Sequence, residues 1–199
     1  MALYTTKDPI VISEGNQKIG KIPNVSLPPV LSCVKGVPCA SESLCYSLKS
    51  WRAYPNVRDA RLHNWRVWLT RPHKYFGNIS EFITKNNPQY FRFHVDGDIP
   101  DEQYFNKMIT LAEDYPNTKF LAFTKRYELP IHKSPSNLTI LPSAWPGYKI
   151  PEFERIAWME DGREDRYMHA RFDCNKGCDE CYACWHIYEI GKDVVFKKH

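Results

Sequence analysis

No run of about eighteen apolar residues occurs anywhere in the 199-residue chain, so no segment is predicted to span a membrane. Met1 to Ile10 lacks a basic start followed by an apolar stretch, so no secretory leader is expected and the protein is predicted to be cytoplasmic. Internal repeats and low-complexity tracts are also missing. Charge of one sign is scarce: 27 Lys and Arg against 23 Asp and Glu leave only +4, too little to imply a nucleic-acid partner by itself. Cysteine is absent over the 128 residues between Cys45 and Cys174.

The composition that remains is globular, with 43% hydrophobic residues, 14% aromatic and 25% charged. That suffices for one core and excludes two large domains or a mainly disordered chain. The expected organisation is a single domain over 1–199, with a βα core in 1–150 and a cysteine-rich extension in 151–199.

All seven cysteines therefore fall in two groups. Cys33, Cys39 and Cys45 are spaced C-x5-C-x5-C, and Cys174, Cys178, Cys181 and Cys184 are spaced C-x3-C-x2-C-x2-C. An odd number of thiols cannot pair completely, and a reducing cytosol disfavours disulfides, so metal binding is the expected use. Four thiolates complete either a zinc site or an iron-sulfur cluster. Structural zinc ordinarily takes two knuckles set apart by a spacer, whereas the tight C-terminal run is closer to a ferredoxin-type 4Fe-4S run. At least three of these four cysteines are expected on one centre. The N-terminal three leave a fourth position open, or join the other group around a shared cluster; reduced, unligated loop cysteines are the bland alternative.

The pattern between the groups alternates. Short strands are expected at Pro9–Ser13 and Lys18–Ile22, and helices at 42–51, Val57–Leu69 (with Pro55 in the first turn) and Pro72–Asn86. Strands at Gln89–Val95, Thr118–Thr124 and Asn137–Pro142 enclose a helix at Asp101–Asp114; Phe153–Met159 and Asp193–Lys198 read as further strands. The fold class expected is α/β, a partial or open βα barrel with a cysteine-rich C-terminal metal-binding segment, because the chain is shorter than the ~250 residues of a full barrel.

Ligand sites in such folds lie at the carboxyl ends of the strands. Asp96, Asp98, Thr124, Lys125, Arg126, Ser143 and Trp145 would share that rim. Asp96 and Asp98 could orient a ligand or act as general base, although an Asp-Gly-Asp turn with Asp101 as helix N-cap explains the same residues. Lys125 and Arg126 could hold a carboxylate or phosphate, or be surface charge. His94 is a catalytic candidate whose alternation with Phe91, Phe93 and Val95 suits a buried, hydrogen-bonded histidine. From Lys49 to Lys74 seven basic residues stand against Asp59 alone. Nucleic-acid contact is one use of them; the other has Trp65, Trp68 and Leu69 packed inward and Arg58, Arg61 and Arg66 as a solvated face.

The stretch SLPPVLSCVKGVPCASESLCYSLKSWRAYPNVRDARLHNW, followed by FRFHVDGDIPDEQYF, FLAFTKR and CNKGCDECYACW, resembles the phage family known as gene product 88 over roughly residues 26 to 185. That family is similar in outline to radical S-adenosylmethionine enzymes, with a βα barrel and a three-cysteine loop after the first strand. The resemblance implies a phage-encoded iron-sulfur protein in the host cytoplasm, with one or two 4Fe-4S clusters and S-adenosylmethionine as a further candidate ligand. It names no activity. This chain differs from the radical enzymes in its five-and-five spacing, in Leu44 before the third cysteine, and in having no Gly-Gly-Glu segment. Candidate partners are a small molecule, a host or phage protein, or nucleic acid, and the contrasting class is a zinc- or cluster-stapled interaction module.

Overall fold

The structure, a computed structural model, describes residues 4–41, 45–145, 150–160 and 171–196. Strand β1 (Ile12–Ser13) runs antiparallel to β2 (Asn24–Val25). The chain then passes through α1 (Pro38–Ser41), α2 (Tyr46–Ala53), α3 (Pro55–Thr70) and α4 (Pro72–Asn86) before β3 (Tyr90–Phe93). Helix α5 (Glu102–Asp114) leads to β4 (Lys119–Thr124), and a single 3-10 turn to β5 (Leu138–Pro142). Strands β2, β3, β4 and β5 are parallel and adjacent in chain order, giving a five-stranded, mostly parallel sheet. A second sheet has the order β6 (Ala157–Met159), β8 (Asp193–Phe196), β7 (Arg171–Cys174), all parallel. A parallel bridge from Ser143 to Ala157, with the Ala144 N–H donating to the Ala157 carbonyl at 2.7 Å, joins the end of β5 to β6.

Period-two alternation divides the sheet into two faces. Phe91, Phe93, Phe120, Ala122, Leu138 and Ile140 pack with Trp68, Tyr75, Phe76 and Ile79 of α3 and α4 and with Tyr104, Phe105 and Met108 of α5. Each large side chain so buried contributes roughly 1.5–3 kcal/mol before chain entropy is charged against it. The opposite face carries Leu121 and Leu141, covered by Ile19, Ile22, Cys184, Trp185, Ile187 and Val194. The C-terminal cysteine segment is thus the second layer over the sheet. Its helical parts are short: α6 (Cys178–Cys181), a 3-10 turn at Ala183–His186, and α7 (Ile187–Ile190).

The predicted helices at 57–69, 72–86 and 101–114 and the three central strands are all present, each within two residues of its expected ends. Asp101 is the N-cap of α5, its Oδ1 accepting the Tyr104 N–H at 2.8 Å. Other expectations need correction. Lys18–Ile22 forms no strand, because the Asn16 side chain accepts the Lys18 and Ile19 N–H groups and closes a turn bridged from Asn16 to Gly20. The helix expected at 42–51 begins at Tyr46, since Cys45 is extended; residues 42–44 lie outside the described residues. Only Ala157–Met159 of the stretch from Phe153 is strand, and β8 ends at Phe196, with 197–198 outside the described residues. No strand was expected at Arg171–Cys174.

On α3, Arg61 is not a solvated residue. It is 9% exposed and turned inward, whereas Leu69, expected inside, is 59% exposed. A buried arginine needs a partner that helical periodicity cannot reveal, and here it is Asp96.

No helix among the described residues is long and apolar enough to cross a membrane.

Candidate functional site

The N-terminal cysteine loop leaves β2 and lies over the carboxyl end of the sheet. The Leu27 N–H donates to the Asp96 carbonyl at 3.0 Å. Ser32 then ties the loop to the Asp96–Asp98 turn: its hydroxyl donates to the Pro28 carbonyl at 2.8 Å and accepts the Asp98 N–H at 3.3 Å. Gly97 permits this approach. Its φ is 85°, and a Cβ there would stand 2.5 Å from Ser32 Oγ and 2.8 Å from the Leu27 carbonyl oxygen. Next to it, the β-branched Val30 also takes a left-handed backbone, at φ 69°, a conformation that costs energy and is held by its surroundings.

The loop brings Cys33 to the rim. Burial pushes its thiol up to about 12, and the charge of Asp98, then Cys39 and Cys45, adds to the effect. Asp98 is 4% exposed; its carboxylate accepts the Lys125 N–H at 2.8 Å and the Ile99 N–H at 2.7 Å. Burial raises its pKa, opposed by hydrogen bonds from the Thr124 hydroxyl and the Lys125 N–H and by the Lys125 charge. The Lys125 ammonium donates to Ser143 Oγ at 2.8 Å and lies 5.5 Å from the centre of the Trp145 ring. Cys33, Asp98, Lys125, Ser143 and Trp145 therefore form one polar edge.

Other predicted residues are placed differently. Asp96 is buried and receives the guanidinium of Arg61, which Ser50 Oγ also accepts. Arg126 donates to the Ile99 carbonyl at 2.8 Å and to Glu128 at 2.8 Å. His94 turns to the helix side of the sheet: its Nε2 is hydrogen-bonded to the Tyr104 hydroxyl at 3.0 Å, and that hydroxyl donates to Tyr75 at 2.9 Å. Its φ of 55° breaks the strand alternation and re-aims the ring. Burial lowers its pKa to about 3, with Arg92 adding to the effect, so the ring is neutral. This matches the reading of His94 as a buried, hydrogen-bonded histidine.

The C-terminal run is anchored independently. Cys174 closes β7 opposite Phe196, and Tyr182 stacks on Tyr90 at 4.3 Å. The Trp185 indole donates to the Phe91 carbonyl at 3.3 Å, and the Thr139 hydroxyl to the Trp185 carbonyl at 3.2 Å. Asp179 accepts the Lys21 N–H at 2.8 Å, lying where a side chain on Gly20 would collide with its carboxylate.

Burial raises the thiol pKa of Cys174, Cys178 and Cys184. Neighbouring thiols of the same run raise them further, while Arg92 opposes the shift at all three and Lys18 at Cys174 and Cys178. The Lys18 ammonium also lies 4.7 Å from the ring of Tyr46, the residue after Cys45, whose hydroxyl donates to the Val95 carbonyl. On the solvent side a cavity of about 730 Å³ is lined by Asp173, Lys176, Cys181, Tyr182 and His186, among others. Among the described residues, no three His, Cys, Asp or Glu side chains are gathered into a group that could hold a metal ion as they stand.

Lys18, Tyr46, Ser32 and Arg92 escaped the sequence reading. Arg92 alone had a signal, since its position between Phe91 and Phe93 puts it on the opposite face of β3.

The family model described as Gene product 88 matches residues 5–187. The chain belongs to the Gene product 88 family. This is a phage gene product family, and both cysteine groups lie within the matched span. No curated protein and no solved structure matches this Gene product 88 chain.

Proposed function

We propose that this Gene product 88 protein is an iron-sulfur-binding protein of the host cytoplasm with one or two thiolate centres on a scaffold of partial βα-barrel type. The observation that carries the reading is the placement of Cys33. The three-cysteine loop follows the first parallel strand and brings that thiol to the rim formed by Asp98 and Lys125, where the influence of Cys39 and Cys45 reaches it. Four strands parallel in chain order, continued through the Ser143–Ala157 bridge, support the partial barrel.

The donor sets fit a cationic group. Burial first, and then the neighbouring thiols, raises the pKa of Cys174 and Cys184, and a bound metal or cluster would compensate the thiolate charge. Iron-sulfur is favoured over zinc by the spacing of the C-terminal run. A bound cluster would supply electrons or an open coordination position. The chain's residues would do the rest at the N-terminal centre: Asp98 and Lys125 would orient a small polar ligand beside Cys33, S-adenosylmethionine being one candidate.

Anaerobic purification tests this. Brown protein with broad absorbance near ~400 nm and acid-labile sulfide is expected, at about eight irons per chain for two four-iron clusters or about four for one. Replacing Cys33, Cys39 and Cys45 together by Ala should remove the N-terminal share. Colourless protein holding stoichiometric zinc after the same preparation would overturn the iron reading.

One observation favours a second reading, an interaction module stapled by its metal. Tyr54 and Leu69 are exposed on the helix layer together with Arg52, Arg66 and Arg71. DNA affinity falling steeply with salt would support it.

A further inference from the structure

Strand β3 buries a guanidinium that has no carboxylate partner among the described residues. Arg92 is 9% exposed, as buried as Arg61, yet no Asp or Glu among the described residues forms an ion pair with it. Its Nε has no hydrogen-bond partner. One terminal nitrogen faces Cys178 Sγ at 4.0 Å, and the guanidinium lies over the Phe123 ring at 5.0 Å. A buried, unpaired cation costs several kcal/mol, so the fold is expected to provide an anion. Of the two described side chains that the guanidinium faces, Phe123 and Cys178, only the Cys178 thiol can become an anion.

We propose that Arg92 is the counter-cation of the C-terminal thiolate centre, placed on the sheet so that the negative charge of Cys174, Cys178, Cys181 and Cys184 around a bound metal or cluster is neutralised from below. The proposal rests on the metal-binding reading above and adds the residue that sets the strength of that centre. Four thiolates on a core of two positive charges leave two units of negative charge, and Arg92 with Lys18 supplies two units of the opposite sign. Arg92 thus acts through the thiolates as a positioning and tuning residue. Charge and hydrogen bonds at the cluster sulfurs are principal determinants of its potential and of metal retention.

The test compares Arg92→Gln and Arg92→Lys with the parent chain, all purified anaerobically. The readouts are metal and sulfide per chain, the rate at which a chelator strips the metal, and, for iron, the midpoint potential. Arg92→Gln should lose its C-terminal metal at least tenfold faster. Its one-electron midpoint should fall by about 59 mV, a tenfold change in the equilibrium, while Arg92→Lys stays near the parent. A Gln variant with parental retention and potential overturns the proposal.

Should Arg92→Gln fail to fold, Arg92→Met carries the test. Replacing an unpaired buried cation by an apolar side chain should stabilise the stripped protein and destabilise the loaded one. The same sign in both states overturns the proposal. If Cys178→Ser with Cys184→Ser leaves metal content unchanged, the C-terminal metal site itself is refuted and this inference falls with it. Metal that depends on those cysteines but is indifferent to Arg92 refutes this inference alone.

Discussion

Arg61 of α3 and Asp96 beyond the end of β3 form a buried ion pair that fastens the helix layer to the rim of the sheet. The two residues are 9% and 5% exposed, and Ser50 on α2 accepts from the same guanidinium. Burial pulls the pKa of Arg61 down and the charge of Asp96 pushes it back up, so each member depends on the other.

Removing one partner strands the other charge. Arg61→Ala should lower stability by about 3–5 kcal/mol, and the paired change Arg61→Met with Asp96→Leu should recover most of it. Urea denaturation of the single and double variants measures the coupling. A single-variant cost below about 1 kcal/mol, the level of a surface pair, would show that the two are not joined in solution.

Gly97→Ala should damage the cysteine loop specifically. The added Cβ meets Ser32 Oγ and the Leu27 carbonyl at a left-handed position, where a non-glycine residue alone costs roughly 1–2 kcal/mol. Metal assigned to Cys33, Cys39 and Cys45 should be lost while that of the C-terminal run remains. Equal loss from both groups, counted by iron or zinc per chain, would contradict the local account.

His94 gives the fold a pH dependence. Its folded pKa, lowered to about 3 by burial, lies below the ordinary value near 6.5, so the unfolded chain binds a proton first as pH falls. Above pH 6.5 burying the ring carries no deprotonation cost, and below it stability declines by about 1.4 kcal/mol per pH unit towards pH 3. His94→Phe should flatten that slope in denaturation series from pH 7 to 4; an unchanged slope would assign the dependence to other groups.

Asn64 of α3 clamps the N-terminal segment with three hydrogen bonds. Its carbonyl accepts the Val11 N–H at 2.8 Å, and its amide donates to the Val11 and Ser26 carbonyls at 2.9 and 3.1 Å. Asn64→Ala should cost about 1–3 kcal/mol through the buried groups left unpaired. Amide exchange at Val11 should accelerate more than at Phe91 in the sheet centre; uniform acceleration would mean a global effect instead.

Helices α3, α4 and α5 and strands β3, β4 and β5 were legible because their apolar periods are long and are bounded by Pro55, Pro72 and Asp101. The two cysteine groups were legible from spacing alone, as was the rim, since strand ends follow from the strand pattern. The short pieces were not. In β7, α6 and α7 four residues carry no period, and tertiary contacts such as Tyr182 on Tyr90 hold them.

The sequence by itself determined the long helices α3, α4 and α5, the order of the central strands and the grouping of the thiols, because local periodicity and spacing are properties of neighbouring residues. The tertiary structure alone decided which charges are buried and what they face. A helical pattern cannot tell Arg61 from Arg66, and only the approach of Asp96 from β3 makes one internal and leaves the other in solvent. The alternation of β3 puts Arg92 opposite its phenylalanines but cannot say what covers that face. The return of residues 171–196 across the sheet, distant in sequence and close in space, sets Cys178 against that guanidinium.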